Sequence, residues 1–151
     1  MRTYISTPTF QSNNGVNLGA RAVPDVSALA DEQTGFAVYL GTFASQGTAG
    51  LYVVGGTSLA SPLTAAVLAT IDAHLAAASK PLLGSSASVN AALYGFYNSS
   101  RYHYDFWDVT LGETCSASGC SGGNVFAAGS GWDKATGLGV IQGPALSLVL
   151  Q

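Results

Sequence analysis

The most evident deficit in this sequence is charge. Only 9 % of its 151 residues are Asp, Glu, Lys or Arg, whereas a soluble domain carries about 25 %. The net charge is −3, from five basic and eight acidic side chains, and no basic cluster occurs, which argues against nucleic acid as a partner. Small polar residues and 19 glycines must cover the surface. Acid would find few carboxylates to protonate there, which fits an acid environment.

The chain also lacks an uninterrupted apolar segment of membrane-spanning length. The longest apolar run, residues 59–78, contains Pro62, Asp72 and His74 and is dominated by alanine. We therefore predict a buried core helix rather than a membrane span, and no membrane partner. Residues 1–11 have no apolar core of the kind that signal peptides contain. The length suits one domain, predicted to cover residues 1–151 with an irregular lead-in at residues 1–20.

Cysteine is scarce as well. Cys115 and Cys120 are the two cysteines, and both lie in a segment rich in Ser and Gly. Two cysteines cannot fill the four ligand positions of a structural zinc site by themselves. We predict a local disulfide, which requires an oxidising compartment, and the alternative is a pair of free thiols.

The local sequence patterns indicate an α/β organisation. Segments rich in aromatic and β-branched residues predict strands at residues 36–40 and 51–54. From Ser58 onward, apolar residues recur at spacings of three and four, which predicts a helix that Pro81 and Gly84 end. The remaining predictions are a helix at 88–96, loops at 99–131 and a last helix at 143–150. The order of strand, glycine turn and helix indicates part of an α/β sheet with its functional face at the carboxyl ends of the strands.

Ser58 is the first candidate for chemistry. It follows Gly55 and Gly56 at the junction between the second strand and the long helix. A serine at such a junction can be held out of the sheet, and the helix N-terminus adds partial positive charge where an oxyanion would form. The two glycines would let a substrate backbone approach closely. The alternative is that Ser58 or Thr57 is only the N-cap of the helix.

A nucleophilic serine needs a general base within hydrogen-bond reach, and histidine does not provide one here. No histidine precedes Ser58 in the sequence. His74 follows on the same predicted helix at a distance of about 24 Å. His103 lies in an aromatic segment with no feature that marks it as a base.

Longer strings around these residues resemble one peptidase family. GGTSLASP, at residues 55–62, resembles the nucleophile motif that subtilisin-like peptidases share with the acid-acting sedolisins, or serine-carboxyl peptidases. RAVPDVSALADEQTGFAVY at 21–39, FWDVT at 106–110 and AGSGWDKATGLG at 128–139 resemble three further sedolisin segments, in the same order. Together they span most of the chain. The departures from the family pattern are small and fall at Leu29, Glu32 and Val140.

The resemblance implies both a fold and a reaction. The fold would be α/β, part of a subtilisin-like, mainly parallel sheet with flanking helices and a C-terminal calcium-binding loop region. The reaction would be endopeptidase cleavage through an acyl-enzyme on Ser58. In the family a Glu is the base, an Asp orients it and a second Asp lies at the oxyanion. Carboxylates suit acid because they stay partly ionised where imidazole is fully protonated.

Those carboxylates are absent from this sequence. In the family the Glu and its Asp lie four residues apart on an N-terminal helix, and the oxyanion Asp precedes the segment that matches Arg21. The glutamates of this chain, Glu32 and Glu113, are followed four positions later by Phe36 and Ala117. The chain therefore resembles the C-terminal portion of a sedolisin catalytic domain, and we predict that it is inactive by itself.

Asp108 and Asp133 could supply carboxylate ligands to Ca²⁺, which also accepts backbone carbonyls. The resemblance implies a Ca²⁺ site formed by the side chains of Asp108 and Asp133 and the carbonyl groups of Val109, Gly129 and Gly131. From the residues alone, the alternative is that the two aspartates cap turns.

Three functions stay open for this polypeptide. The first is a portion of a sedolisin-like endopeptidase that acts on peptides or proteins and needs its N-terminal portion as a partner. The second is a non-catalytic calcium-binding α/β remnant or subunit, and the third is a fragment of a subtilisin-like serine peptidase. The resemblance also implies a secreted or extracytoplasmic location.

Overall fold

The computed structural model describes residues 5–41, 49–85, 88–114 and 125–143. Contacts divide the chain into two units. The hairpin unit is residues 28–67, and the loop unit is residues 1–27 together with 68–151.

The hairpin unit contains two strands close to the predicted bounds, β1 at Phe36–Leu40 and β2 at Gly50–Val54. They pair antiparallel, because the connection between them is shorter than the crossover of a dozen or more residues that parallel strands need. The predicted mainly parallel sheet is therefore wrong for the described strands. The described strands form two two-stranded sheets, and both sheets are antiparallel. Among the described residues, parallel pairing occurs at the isolated bridge between Ser27 and Val140.

One face of this hairpin is apolar and uncovered within the unit. Tyr39 lies opposite Leu51 in the register, and they are 67 % and 73 % exposed, while Val53 on the same face is 59 % exposed. A two-stranded hairpin is marginally stable by itself in water, because it needs further strands or a helix against its apolar face.

Helix α2 spans Thr57–Ala77, as the apolar spacing predicts. Its C-terminus is set by Ser79, which adopts a left-handed conformation with φ of +54°. The N–H of Ser79 donates to the carbonyl of Ala76 at 3.0 Å, and the N–H of Lys80 donates to the carbonyl of Leu75 at 2.8 Å. These two bonds form a Schellman motif, which satisfies carbonyls that the helix end would otherwise leave unpaired.

The prediction that α2 is a buried core helix is wrong for this chain, because Ile71 and Leu75 are its buried residues. Its first part lies in the hairpin unit, which is too small to cover a helix on all sides. By length and composition α2 could also cross a membrane. That is weak evidence, since the core helix of a soluble protein passes the same test.

In the loop unit, helix α3 spans Val89–Tyr97 and confirms the second predicted helix within one residue. Ser88 is its N-cap, and the Ser88 hydroxyl accepts the N–H of Ala91 at 3.1 Å. This side-chain bond satisfies one of the donors that a helix start leaves unpaired. Leu93 and Tyr94 face the interior and are fully buried.

Four further described elements of this unit were not predicted. A short helix α1, at Thr9–Ser12, lies in the segment expected to be irregular. Helix α4, at Tyr102–Asp105, leads into strand β3, at Phe106–Trp107, inside the expected loops. Strand β3 pairs antiparallel with β4, at Val140–Ile141. The predicted last helix, at 143–150, lies outside the described residues except for Gly143.

Gly139 sits where the backbone of the loop unit is most tightly packed. It has a φ of +86°, a region that favours glycine, and a side chain there would overlap the carbonyl oxygen of Trp107 and approach the Asp108 Cα at 3.2 Å. Position 139 therefore allows the chain to pass directly beside the end of β3.

Replacing Gly139 by alanine should destabilise the loop unit through both strain and overlap. The positive φ costs about 1–2 kcal/mol, and overpacking adds about 1–3 kcal/mol. Gly15→Ala is a matched control, because Gly15 has a similar φ of +82° but no atom within 4 Å of an added Cβ. Urea unfolding of both variants measures the difference, and equal losses would contradict the close approach.

Candidate functional site

Ser58 lies inside the first turn of α2. Gly56 precedes this turn with φ of +72°, and its carbonyl oxygen accepts the N–H of Leu59 at 3.0 Å and of Ala60 at 3.2 Å. The residue whose carbonyl accepts the first helical bonds is the N-cap, so Gly56 holds that position rather than Thr57 or Ser58. The alternative that Ser58 is only the N-cap of the helix is therefore wrong.

The Ser58 side chain is exposed, and its hydroxyl makes no hydrogen bond to any described residue. The backbone N–H groups in the first turn of a helix have no intrahelical acceptor, and the helix dipole favours negative charge at that end. Ser58 thus combines an accessible hydroxyl with a local field suited to a developing oxyanion.

Gly55 has a different role from the predicted one. A Cβ at this position would lie 2.7 Å from the Cγ of Glu32 and 2.8 Å from the carbonyl oxygen of Ala30. The same carbonyl accepts the N–H of Gly56 at 2.6 Å. Residues of this chain therefore occupy the space beside Gly55, so this glycine is needed for packing within the hairpin unit and not for the approach of a substrate on that side.

Within the described residues no general base reaches Ser58. His74 lies near the other end of α2, as predicted. Glu32 packs beside Gly55 but makes no hydrogen bond with Ser58. The carboxylate or imidazole that a serine nucleophile needs is thus absent from the described part of the site.

The second candidate site is the aspartate loop, defined as residues 108–109 and 129–136. Four of the five residues predicted as calcium ligands form two hydrogen-bonded pairs, in which the glycines take part through their N–H groups and not through the predicted carbonyls. The Asp108 carboxylate accepts the N–H of Gly131 at 2.9 Å, and the Asp133 carboxylate accepts the N–H of Gly129 at 3.1 Å. Val109, the fifth, follows Asp108 directly, and no described N–H group donates to its carbonyl.

The Asp133 carboxylate organises the second half of this loop. Besides Gly129, it accepts the N–H of Ala135 at 2.7 Å, the N–H of Thr136 at 2.8 Å and the Thr136 hydroxyl at 2.9 Å. Burial by itself would raise the pKa of the Asp133 carboxyl, but the N–H donors of Thr136, Gly129 and Ala135 outweigh it and lower that pKa. Asp133 is therefore held as an anion in a preformed turn.

Asp108 carries the observation that bears most directly on a metal. Its Oδ1 atom is buried and has no hydrogen-bond partner. A buried anionic oxygen without a donor is costly unless a cation or a proton satisfies it. Within the described ranges no three His, Cys, Asp or Glu side chains cluster closely enough to hold a metal. The residues therefore fit a cation that takes much of its coordination from backbone carbonyls and water, as Ca²⁺ does.

Two tyrosines from neighbouring helices support the aspartate loop. The Tyr97 hydroxyl accepts the N–H of Trp132 at 3.3 Å, and the Tyr102 hydroxyl donates to the carbonyl of Leu138 at 3.1 Å. Burial first, and then the nearby Asp108 carboxylate, raise the pKa of Tyr102. The hydroxyl group therefore stays protonated and remains a donor throughout the physiological range.

Sequence reasoning missed a polar cluster centred on Asp25. Its carboxylate forms an ion pair with Arg21 and accepts the Tyr94 hydroxyl at 3.1 Å and the Asn90 amide at 3.3 Å. The backbone carbonyl of Asp25 accepts the N–H of Leu138 at 2.8 Å. The spacing of Arg21 and Asp25 four residues apart was the available sequence signal.

Gln11 extends this cluster into the core. Its side chain is fully buried and pairs with both backbone groups of Ala22, at 2.8 and 2.9 Å, and with the Tyr94 hydroxyl at 2.9 Å. Burial is the main cause that raises the pKa of Tyr94 to about 12. The neighbouring Pro24 carbonyl accepts the indole N–H of Trp132 at 3.0 Å, so the cluster is tied to the aspartate loop.

The predicted disulfide between Cys115 and Cys120 lies outside the described residues. The two ends of the segment that carries these cysteines are paired with each other. The N–H of Thr114 donates to the carbonyl of Phe126 at 2.9 Å, and the N–H of Phe126 donates to the Thr114 hydroxyl at 3.1 Å.

Comparison with known proteins places these features in a class. No protein-family model matches the chain. The chain is 36 % identical over 143 residues to the tripeptidyl-peptidase sed1 of Aspergillus fumigatus, which covers 94 % of this chain and 19 % of that protein. It is 34 % identical over 131 residues to kumamolisin of a Bacillus species, and that match covers 85 % of this chain and 19 % of kumamolisin. It is 31 % identical over 143 residues to human tripeptidyl-peptidase 1, and that match covers 93 % of this chain and 22 % of the human protein.

The structural comparison gives the same result. The structure of Pseudomonas sedolisin, a serine-carboxyl proteinase, matches with a TM-score of 0.72 and 30 % sequence identity, covering 98 % of this chain and 34 % of that one. The class is therefore the subtilisin-like α/β peptidase fold. Within that class, the proteins that match this chain are of the sedolisin family, at 30–36 % identity over most of this chain, and the chain spans about a fifth of the length of the curated relatives that it matches.

The Asp133 turn yields a prediction that does not depend on metal. In chelator at neutral pH, Asp133→Asn should lose about 1–3 kcal/mol of unfolding free energy, because an amide nitrogen would face N–H donors. Asp31→Asn is the control, since Asp31 accepts two comparable bonds, from Gln33 and Thr34, at an exposed site. Chemical denaturation of both variants tests this, and a loss at Asp133 no larger than at Asp31 would show that the turn is not organised by its carboxylate.

Proposed function

We propose that this chain is the nucleophile-bearing and metal-binding portion of a serine-type endopeptidase of the sedolisin kind. The observation that carries the proposal is the placement of Ser58, whose exposed hydroxyl lies in the first helical turn without serving as its cap. The kinship of the chain to sedolisins supports it. A subtilisin-like peptidase of another family fits less well, because the solved structure that matches this chain is a sedolisin.

In this proposal, Ser58 attacks the carbonyl carbon of a peptide bond and forms an acyl-enzyme. The hydroxyl proton passes to a carboxylate base and then to the leaving amine, and water hydrolyses the ester. The first turn of α2 stabilises the developing oxyanion through its backbone N–H groups and dipole. The substrates are peptides or proteins, and the location is secreted or extracytoplasmic, where a disulfide between Cys115 and Cys120 could form.

The base, its orienting Asp and the oxyanion Asp would come from an N-terminal portion that acts as a partner to this chain. The uncovered hairpin face, with Tyr39, Leu51 and Val53 more than half exposed, supports such a partner, as does the slight burial of α2. A specific observation also supports the alternative of a non-catalytic calcium-binding α/β remnant or subunit, since no described residue acts on Ser58 as a base.

The aspartate loop is proposed to bind Ca²⁺ through the Asp108 and Asp133 carboxylates and the carbonyls of Val109, Gly129 and Gly131. The ion would neutralise the unpartnered Asp108 oxygen and stabilise the loop without a part in the acyl transfer. The preformed Asp133 turn supports this assignment, because a fixed carboxylate loses little freedom when it binds an ion.

The chain by itself should show no peptide hydrolysis at about pH 3–5, where the carboxylate base of a sedolisin would be partly ionised. Adding the N-terminal portion, in cis or in trans, should restore hydrolysis of a peptide library. Ser58→Ala should then remove several orders of magnitude of the restored rate, because the nucleophile is lost.

Thr64→Ala is the matched control for Ser58→Ala. Thr64 also carries a hydroxyl on α2, but that group bonds to the carbonyl of Ala60 at 2.9 Å in its own helix, so activity should persist. If the restored complex stayed fully active with the Ser58→Ala substitution, Ser58 would not be the nucleophile. Serine-dependent turnover by the chain without its partner would show that no external base is required.

Millimolar Ca²⁺ at neutral pH should raise the melting temperature relative to chelator. A ligand that binds only the folded state at a hundredfold excess over its Kd adds about 2.7 kcal/mol. The carboxylates must be ionised to bind the ion, so the gain should weaken in acid. Asp108→Ala and Asp133→Ala should both abolish the gain, and Asp31→Ala should keep it. Equal melting temperatures with calcium and with chelator would overturn the metal assignment.

A further inference from the structure

Asp105 is a buried carboxyl that neither candidate site uses. It ends α4, its relative exposure is 0 %, and both of its carboxylate oxygens are without a hydrogen-bond partner. Its backbone carbonyl accepts the N–H of Gln142 at 2.9 Å, directly beside the pairing of Phe106 with Ile141. The residue is therefore anchored by its backbone while its side chain is enclosed.

The elements packed around Asp105 offer its carboxylate little compensation. Arg101, at the start of α4, is the charged group whose field reaches it, and Arg101 itself is exposed. The other titratable groups on α4 are Tyr102, whose hydroxyl donates to Leu138, and the exposed His103 and Tyr104. Strands β3 and β4 carry no titratable side chain.

Helix α3, which packs against α4, carries Tyr94 and Tyr97. The Tyr94 hydroxyl donates to Asp25, and the Tyr97 hydroxyl accepts from Trp132, so neither is bound to Asp105. Among the described residues, no donor and no adjacent positive charge therefore meets the Asp105 carboxylate.

An ionised carboxylate in such a place would lose its hydration without gaining a partner, whereas the neutral acid loses far less. Burial is the main cause that raises the pKa of Asp105, and the Arg101 charge opposes it only in part.

We propose that Asp105 is a proton-binding site of the folded chain, so that the fold carries it as a neutral acid and is stabilised by acid at this position. The proposal rests on the enclosure of an unpartnered carboxyl and is independent of the proposed peptidase and calcium functions.

The direction of the effect follows from linkage. The pKa is higher in the folded state than in the unfolded state, so the stabilisation by the proton is complete below about pH 3.9, the unfolded value. It declines as the pH rises toward the folded pKa and is absent above it. The weakening would fall on the junction of α4 and β3, which leads into Asp108.

Asp105→Asn in the full 151-residue chain is the central test, because the amide has nearly the same shape and no charge. Melting temperatures are measured in chelator between pH 3 and pH 7. We expect the variant to match the unchanged chain at pH 3 and to exceed it by about 3 °C or more at pH 7. Glu113→Gln is the control, since Glu113 is exposed in the same unit, and it should show no such divergence.

A second readout uses the unchanged chain. In infrared spectra recorded at rising pH from about 3.9, the unchanged chain should keep the carbonyl stretch of a protonated carboxylic acid that Asp105→Asn removes and Glu113→Gln retains. Parallel stability curves for Asp105→Asn and the unchanged chain, or the absence of this band, would overturn the proposal. Failure of Asp105→Asn to fold at any pH would also contradict it, because a site for a neutral acid should accept a neutral amide of the same shape.

Discussion

The loop unit depends on the bonds that Asp25 makes with both its side chain and its backbone. The carboxylate gathers Arg21, Asn90 and Tyr94, which come from the N-terminal segment and from α3. The backbone carbonyl of the same residue holds Leu138, just beyond the Asp133 turn. One short segment thus joins parts of the sequence that lie more than sixty positions apart. Charge-assisted bonds of this kind are stronger than neutral ones, and the bond from Leu138 to the Asp25 carbonyl holds the chain just beyond the end of the aspartate loop.

The sequence was sufficient where structure is decided locally. Local patterns placed β1, β2, α3 and the start of α2 within one residue, whereas α2 ends at Ala77, before the predicted stop at Pro81 and Gly84, and Ser88 acts as a cap, as small hydroxyl residues do. The sequence was insufficient where a property depends on which other element packs against the segment. The direction of pairing between strands depends on how the chain returns, and the burial of α2 depends on what lies against it. Neither property is encoded in the period of a single segment.

The candidate sites divide along the same line. Short sequence motifs were enough to identify Ser58, Asp108 and Asp133, because each of these residues lies within a motif of a few consecutive residues. The support from Tyr97 and Tyr102 and the enclosure of Asp105 were not visible, since they arise when α3 and α4 pack together. The part-buried Asp133 and the buried Asp105 also have opposite surroundings. Asp133 meets four donors, whereas Asp105 meets none, and composition alone cannot separate two such residues.

The pairing of Thr114 with Phe126 gives the aspartate loop a closed boundary. Both bonds, at 2.9 and 3.1 Å, join the two ends of the intervening segment directly, and Gly112 and Ala128 continue the pairing toward Asp108 and Gly129. The geometry of the aspartate loop therefore depends on the residues that lie outside the segment between Thr114 and Phe126. Evolution could lengthen, shorten or rewrite the stretch between 114 and 126, and so give related proteins different surfaces, while the aspartates stay in register.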